Sequence, residues 1–213
     1  MREIVLDTET TGLRPGEGHK IIEIAAIEIV DFIPTGKTYH QYINPERDVP
    51  QASTDVHGIT SEFLYDKPTF NKIADEFIEF VKNDTIVAHN IDFDIGFIEK
   101  VSNQLGLDYS FKGVYDTLSL SRSFLFSFSF FSLEYLSNYF NFKITASHRA
   151  KSDASRTGLL FLQLIKHMLS FPLKIIEDIN LISSNKINNF YLYKDILDYK
   201  KINGDSDEFS SVI

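Results

Sequence analysis

The sequence predicts an α/β fold in which helices flank a mixed β-sheet. Strand-like segments come first along the chain, and helical segments then alternate with further strands, an order typical of this class. The chain has 213 residues, of which 43% are hydrophobic, enough for one domain with a sizeable core and a tail. It contains no run of about 18 apolar residues, so no membrane span is expected.

The predicted strands at the start of the chain follow from apolar runs bounded by turn residues. The stretch EIVLDTETTG (3–12) is the first, and KIIEIAAIEIV (20–30) indicates a largely buried strand. An antiparallel partner is expected at KTYHQYINP (37–45). Pro and Gly in the intervening FIPTGK (32–37) predict the turn between these two strands.

Helical periodicity dominates the middle of the chain. In TFNKIADEFIEFVK (69–82), apolar residues recur at helical spacing, and Thr69 is the candidate N-cap. The later elements are a strand at 85–90, a helix at 93–105, a strand or strand end at 113–121 and a helix at 153–169.

Two stretches differ in composition from the rest. RSFLFSFSFFSL (122–133) is crowded with Phe and Ser, and its pattern allows either a strand or the entry into a helix. Residues 174–213 are rich in Asn, Lys, Ser and Tyr, with one short helix expected near 190–200. We therefore divide the chain into a domain at 1–173 and a tail at 174–213 that orders on a partner.

Charge and cysteine content narrow the class of protein. The net charge of −9 argues against a broadly basic surface, but a site that binds phosphate through metal ions needs acids of its own. Cysteine is absent, which excludes disulfides and thiolate metal sites. The strand-like start without a signal-peptide pattern favours the cytoplasm.

Acidic side chains stand at the ends of several predicted elements. Asp7 and Glu9 share one face of the first strand, although charged residues are rarely buried. Asp94 lies at a strand–helix junction, and His148 and Asp153 lie where the 153–169 helix begins. Four carboxylates and a histidine at such junctions are typical of a site for hard divalent cations such as Mg²⁺.

Each of these residues also has a simpler interpretation. Asp7 and Glu9 could form a solvated strand end with a salt bridge, and His148 could be an exposed loop histidine. Five helical residues turn through about 140° beyond one full circle, so His148 and Asp153 would not converge from one regular helix. We therefore expect His148 on the preceding loop and Asp153 in the first helical turns.

Three short motifs resemble those of the DEDDh family of 3′–5′ exonucleases, which share a ribonuclease H-like fold. The motifs are LDTETTG (6–12), HNIDFD (89–94) and HRAKSDA (148–154). The resemblance covers about residues 2–168. Within the family, the stretches between the motifs are most similar to the proofreading subunits of bacterial replicative DNA polymerases.

The resemblance implies a role for each matching residue. Two divalent cations, Mg²⁺ or Mn²⁺, would be bound by four carboxylates, with Asp7 bridging both ions. His148 would be the general base that helps generate the attacking hydroxide. The implied metal ligands are Asp7, Glu9, Asp94 and Asp153, and the implied lining of the terminal-nucleotide pocket is Thr8, Thr10, Leu13, His57 and Phe93. For His57, a turn-stabilising role is nearly as well supported as a nucleotide contact.

The partners implied are a single-stranded or frayed DNA 3′ end and the catalytic subunit of a DNA polymerase. MLSFPL (168–173) stands where the proofreading subunits carry a sliding-clamp peptide, but Met168 replaces the usual Gln; Phe171 and Leu173 could equally cover the end of the core. A chain ending at Leu173 is expected to keep its nuclease activity and to no longer bind the polymerase subunit.

Two other functions are kept open by the sequence. One is an exoribonuclease of the oligoribonuclease or ribonuclease T kind, which belongs to the same superfamily. The other is a non-catalytic polymerase scaffold, which would be expected to have lost at least one of the acids.

Overall fold

The computed structural model describes residues 1–107, 110–143, 148–172, 174–175, 178 and 196. Its central sheet has five strands, which are β1 (Arg2–Thr10), β2 (Ile21–Val30), β3 (Ile33–Tyr42), β4 (Thr85–Ala88) and β5 (Gly113–Asp116). They are arranged in the order β3-β2-β1-β4-β5. The first three strands pair antiparallel and the last two join in parallel, so the predicted mixed sheet is confirmed.

The turn between β2 and β3 is shorter than the sequence predicts. The chain reverses at Asp31 and Phe32, whose φ angles of 51° and 63° are both positive. Two positive φ angles in succession are what a two-residue type I′ hairpin turn requires. The expected turn residues Pro34 and Gly36 instead lie inside β3. Proline is tolerated there because β3 is an edge strand of the sheet.

The helices predicted at 69–82, 93–105 and 153–169 are present with small shifts in their ends, and the helix expected near 190–200 lies, apart from Ile196, outside the described residues. The helices are α1 (Gln51–His57), α2 (Ser61–Leu64), α3 (Phe70–Val81), α4 (Ile91–Leu105), α5 (Thr117–Phe124), α6 (Leu133–Tyr139) and α7 (Ala150–Ser170). Thr69 precedes α3, as expected for an N-cap, but its side chain makes no capping hydrogen bond. The short helices α1 and α2 have no counterpart in the sequence prediction. The strand or strand end predicted at 113–121 is a strand only as far as Asp116, which caps α5 through its carboxylate.

Alternation along β1 divides the core between the two faces of the sheet. Ile4 and Leu6 pack in one cluster with residues of α3 and α4. Val5 points to the other face, where it packs with residues of α5 and α7. Since Asp7 and Glu9 continue the Val5 face, their side chains are directed toward the side covered by α7.

The Phe/Ser stretch forms no strand. It contains the end of α5, a connecting loop and the first residue of α6, so of the two alternatives the helix entry is the correct one. Several of its aromatic rings contact neighbouring aromatic rings, and Phe126 and Phe130 are exposed. The loop therefore presents aromatic surface between two helices.

Most of the predicted tail, including the anchors expected between 187 and 192, lies outside the described residues. Ile196 is described, and it is fully buried in the same hydrophobic cluster as α7. That residue packs on the core, and the predicted boundary at 173 stays a prediction. Among the described residues, no helix combines the length and apolar character needed to cross a bilayer.

Candidate active site

Three of the four predicted metal ligands converge at the end of β1. Carboxylate oxygens of Asp7, Glu9 and Asp153 all lie within 4.8 Å of one another. Asp7 and Glu9 arrive from adjacent same-face positions on β1, and Asp153 arrives from the first turn of α7. Carboxylates at such separations are suited to binding one or more divalent cations, which prefer oxygen ligands.

Asp94 lines the same cavity from the N-terminal turn of α4. Its side chain is buried, and it accepts a hydrogen bond of 2.7 Å from the hydroxyl of Thr8. Because Thr8 alternates with Asp7 and Glu9 on β1, it faces α4 rather than α7. Thr8 therefore orients the fourth carboxylate, a role that the predicted nucleotide contact did not include.

Asp153 is held on both sides of its carboxylate. Its Oδ1 accepts a hydrogen bond of 2.9 Å from Arg156, one turn further along α7. Its Oδ2 accepts one of 3.2 Å from the backbone N–H of Arg149. These bonds fix the carboxylate as the helix begins. The i,i+3 spacing of Asp153 and Arg156 is a sequence signal that could have identified this pair.

The close approach of these acids changes their proton affinity. Burial, followed by the charge of Asp94, raises the pKa of Asp7 well above its usual range. Burial and neighbouring acids raise the pKa of Glu9 to about 8. Burial raises the pKa of Asp94 to about 7, although the Thr8 hydrogen bond opposes the shift. A bound cation would favour the ionised forms and relieve this repulsion.

His148 lies on the loop that precedes α7, as the spacing argument predicts. It lines the same cavity of about 310 Å³ as the acids. Its side chain is exposed, and its φ angle of 56° places the backbone in the left-handed region. The five residues expected to carry the chemistry are thus brought together in one cavity.

The five predicted nucleotide-pocket residues line one neighbouring groove of about 600 Å³. Leu13 is 80% exposed at its rim, and the hydroxyl of Thr10 donates to the carbonyl of Gly12. Phe93 is shared between the groove and the acidic cavity. The groove therefore leads directly to the carboxylates.

His57 has the turn-stabilising contact expected from the sequence, and its predicted nucleotide contact stays a prediction. Its Nδ1 accepts a hydrogen bond of 3.0 Å from the N–H of Ile59, which stabilises the turn after α1. Its Nε2 is buried and makes no well-formed hydrogen bond within the described part of the chain, in a side chain that lines the groove. Burial lowers the pKa of His57 and so favours the neutral ring, although the nearby Thr10 backbone acts in the opposite direction.

Other residues of the site were missed by sequence reasoning. His89 lines the acidic cavity and contacts the hydroxyl of Thr117 and the carbonyl of Phe131. Residues 132–134 form another wall of that cavity. Glu23 lies beside the segment that bears His148, and its position as one of two acids in a largely apolar strand was the available signal.

Similarity to known proteins identifies the family. A family model described as exonuclease matches residues 4–161. The chain belongs to the exonuclease family. This exonuclease is 40% identical over 200 residues to DNA polymerase III subunit epsilon of Rickettsia conorii, with 89% of this chain and 85% of the relative covered. It is 46% identical over 129 residues to the epsilon subunit of Escherichia coli K12, covering 57% of this chain and 53% of the relative.

Solved structures with lower sequence identity share the fold of this exonuclease. Exonuclease X in complex with 5′ overhanging duplex DNA is 24% identical, with a TM-score of 0.61 over 76% of this chain and 90% of that one. E. coli exonuclease I in complex with a dA16 oligonucleotide is 18% identical, with a TM-score of 0.68 over 78% of this chain and 40% of that one. These similarities confirm the predicted ribonuclease H-like fold.

Proposed function

We propose that this exonuclease removes nucleoside monophosphates from single-stranded or mismatched DNA 3′ ends by a two-metal mechanism, as the proofreading subunit of a replicative polymerase. The observation that carries the proposal is the convergence of Asp7, Glu9 and Asp153 within 4.8 Å. The epsilon-subunit relatives support the polymerase context.

The donor set fits hard divalent cations. It is made only of carboxylate oxygens. Burial raises the pKa values of Asp7, Glu9 and Asp94, and the charges of neighbouring acids raise those of Asp7 and Glu9 further; a cation would relieve that repulsion. Asp7, Glu9, Asp94 and Asp153 would hold two Mg²⁺ or Mn²⁺ ions. Such ions lower the pKa of bound water and stabilise the charge that develops on a phosphodiester.

His148 is the candidate general base. Its side chain is exposed to solvent at the wall of the acidic cavity, so it can accept a proton from a water molecule without first displacing a packed neighbour. A positioned base typically contributes about 10²- to 10⁴-fold to the rate. Asp153, whose carboxylate accepts a hydrogen bond from Arg156, lies in the first turn of the helix that follows His148.

The groove beside the acids is the proposed site for the 3′-terminal nucleotide. Phe93 and Leu13 offer apolar contacts to a base or sugar, and His57 lines the same groove. Unpairing is easier at a mismatched end, so a groove of this kind favours frayed 3′ ends over paired ones.

The assembly with a polymerase is proposed from the relatives, which are polymerase III subunits. We propose that residues 1–173 carry the catalytic residues and that 174–213 form the partner segment, whose Ile196 packs on the catalytic domain. The sliding clamp is a candidate second partner through residues 168–173. In a bacterium this assembly would work in the cytoplasm, where the chromosome is replicated.

The experiment that tests the chemistry compares Asp7→Ala and His148→Ala with the parent on a mismatched DNA primer and on a short RNA. We expect release of monophosphates in Mg²⁺ or Mn²⁺ and none in EDTA. Asp7→Ala should lose metal binding and rate together, whereas His148→Ala should bind Mn²⁺ normally and lose about two to four orders of magnitude in rate.

Each alternative predicts a different result in that experiment. Near-normal turnover by Asp7→Ala would refute the two-metal assignment, and an equal loss of Mn²⁺ affinity in His148→Ala would make His148 a ligand. Faster degradation of the RNA would favour an exoribonuclease. Inactivity of the parent on both substrates would favour the scaffold, although all five positions are filled by the expected residue types.

A further inference from the structure

Glu23 is a buried carboxylate that contacts the segment immediately after His148. It lies on β2, directly opposite Glu9 on β1, and its side chain is 1% exposed. One oxygen, Oε1, is 2.7 Å from Nε2 of His40. The other, Oε2, accepts hydrogen bonds of 3.2 Å from Nε of Arg149 and 3.2 Å from the backbone N–H of Ala150.

The Glu23 carboxylate is ionised in this setting. Burial by itself would raise its pKa, but the hydrogen bond from His40, the charge of Arg149 and the N–H of Ala150 together outweigh burial and lower it. Arg149 is held from a second side, because its guanidinium lies 5.3 Å from the ring centroid of Tyr42. A cation over an aromatic face is attracted by the ring. The first residues of α7 are therefore attached to β2 and β3.

This attachment bears on His148 because that side chain has little packing of its own. His148 is exposed, and its backbone adopts a left-handed conformation that non-glycine residues rarely adopt. Such a conformation persists only where the surrounding structure imposes it. The two residues that follow His148 are the ones that Glu23 binds.

We propose that Glu23 is a positioning residue for His148, acting through Arg149 and Ala150 to hold the base over the carboxylate cluster. The proposal rests on the proposed function, in which His148 is the general base. It requires geometry rather than charge. An amide at position 23 can still direct its oxygen toward Arg149 and Ala150 and its nitrogen toward His40.

The test compares Glu23→Ala with Glu23→Gln on a single-stranded DNA oligonucleotide. Glu23→Ala should lower kcat by about 10- to 100-fold, the scale expected when a catalytic group is misplaced by about 1 Å. KM and the Kd for Mn²⁺ should change by less than about 3-fold, and Glu23→Gln should retain most of the parent's kcat. Because unfolded enzyme would also lower the apparent kcat at an unchanged KM, each rate is divided by the folded fraction of that variant, measured by circular dichroism.

Glu28 supplies the matched control. It is a second buried acid on β2, five residues along, and it binds Arg2, Thr35 and Lys37 away from the site. Glu28→Ala should therefore lower stability without lowering kcat at a temperature where both variants are folded. If Glu28→Ala lowered kcat as much as Glu23→Ala, the effect would be general destabilisation and the proposal would be overturned.

A double-mutant cycle connects Glu23 to the base. When His148→Ala is already present, adding Glu23→Ala should lower the remaining rate by less than about 2-fold, because there is no base left to position. A further fall as large as in the parent would overturn the proposal while leaving His148 as the base. If His148→Ala alone retains full activity, the proposed function fails first, and the two failures are distinct.

Arg149→Ala keeps the test valid if Glu23→Ala does not fold. Arg149 is partly exposed, so truncating its side chain is better tolerated than truncating Glu23. Arg149→Ala removes one of the two hydrogen bonds that Glu23 accepts from the residues after His148. We expect a smaller fall in kcat than for Glu23→Ala, again absent in the His148→Ala background. An unchanged kcat in Arg149→Ala, with Glu23→Ala unfolded, would count against the proposal.

Discussion

Replacing Ile196 by alanine tests whether the C-terminal part of the chain stabilises the exonuclease domain. Ile196 is 0% exposed and belongs to the same cluster as Leu160, Ile165 and Met168 of α7. Truncating a buried isoleucine removes apolar contact and leaves a cavity, which together cost about 2–5 kcal/mol. For a protein of this length, that loss corresponds to a fall in Tm of about 4–20 °C.

The assay is urea unfolding of the full chain followed by far-UV circular dichroism, with nuclease rate measured below the transition. Ile175→Ala is the matched control, because the Ile175 side chain is 41% exposed. Truncating an exposed side chain of this kind should change stability by no more than about 0.5 kcal/mol. Equal midpoints for Ile196→Ala and Ile175→Ala would refute the reasoning. The domain would then end near 173, and a chain ending at Leu173 would be as stable as the full one.

Three further predictions concern stability. Glu28, whose pKa is lowered to about 2 chiefly by Arg2, has a folded pKa below the unfolded one. The ionised carboxylate therefore stabilises the fold above about pH 4.5, and this contribution should be lost as the pH falls toward 2. Urea midpoints measured against pH should show this loss in the parent, and Glu28→Gln should lack this part of it. The contribution of Glu9 to stability changes with pH in the opposite direction, because its pKa is raised to about 8. In EDTA, the parent should lose stability as the pH rises from about 4.5 to 8, and the slope of stability against pH should be smaller in Glu9→Gln. A parent whose stability does not change over this range would contradict the raised pKa. At Gly158, inside α7, an added Cβ meets Val5 Cγ2 at an ordinary contact distance of 3.6 Å. Gly158→Ala should raise the free energy of unfolding by about 1 kcal/mol, and a loss of stability would show that α7 packs on β1 without room for a methyl group.

The sequence was sufficient where the signal is local. The period of two along β1 identified Asp7 and Glu9 as same-face acids, and the predicted sheet and helices followed from apolar spacing. The β2–β3 turn was predicted wrongly because Pro34 and Gly36 are turn-forming residues. The structure uses them in an edge strand, where a missing backbone donor faces no neighbouring strand.

The remaining features depend on contacts between distant parts of the chain. Glu23 binds Arg149 and Ala150, and nothing near position 23 indicates either partner. Ile196 looked like one more residue of a polar tail, and only its burial in the core cluster distinguishes it. Pairings of this kind are decided by tertiary packing, which local patterns do not contain.

Alternation on β1 also explains why the site forms where it does. Asp7 and Glu9 face α7 and meet Asp153, while Thr8 faces α4 and bonds Asp94. The end of β1 therefore brings its own two carboxylates close to one from the helices on each face of the sheet. The helices on one face alone could not supply all four carboxylates. Moving β1 by one residue would exchange the two faces and disperse the acids. The β1–β2 pairing that holds Glu9 opposite Glu23 is therefore as necessary to the site as the acids themselves.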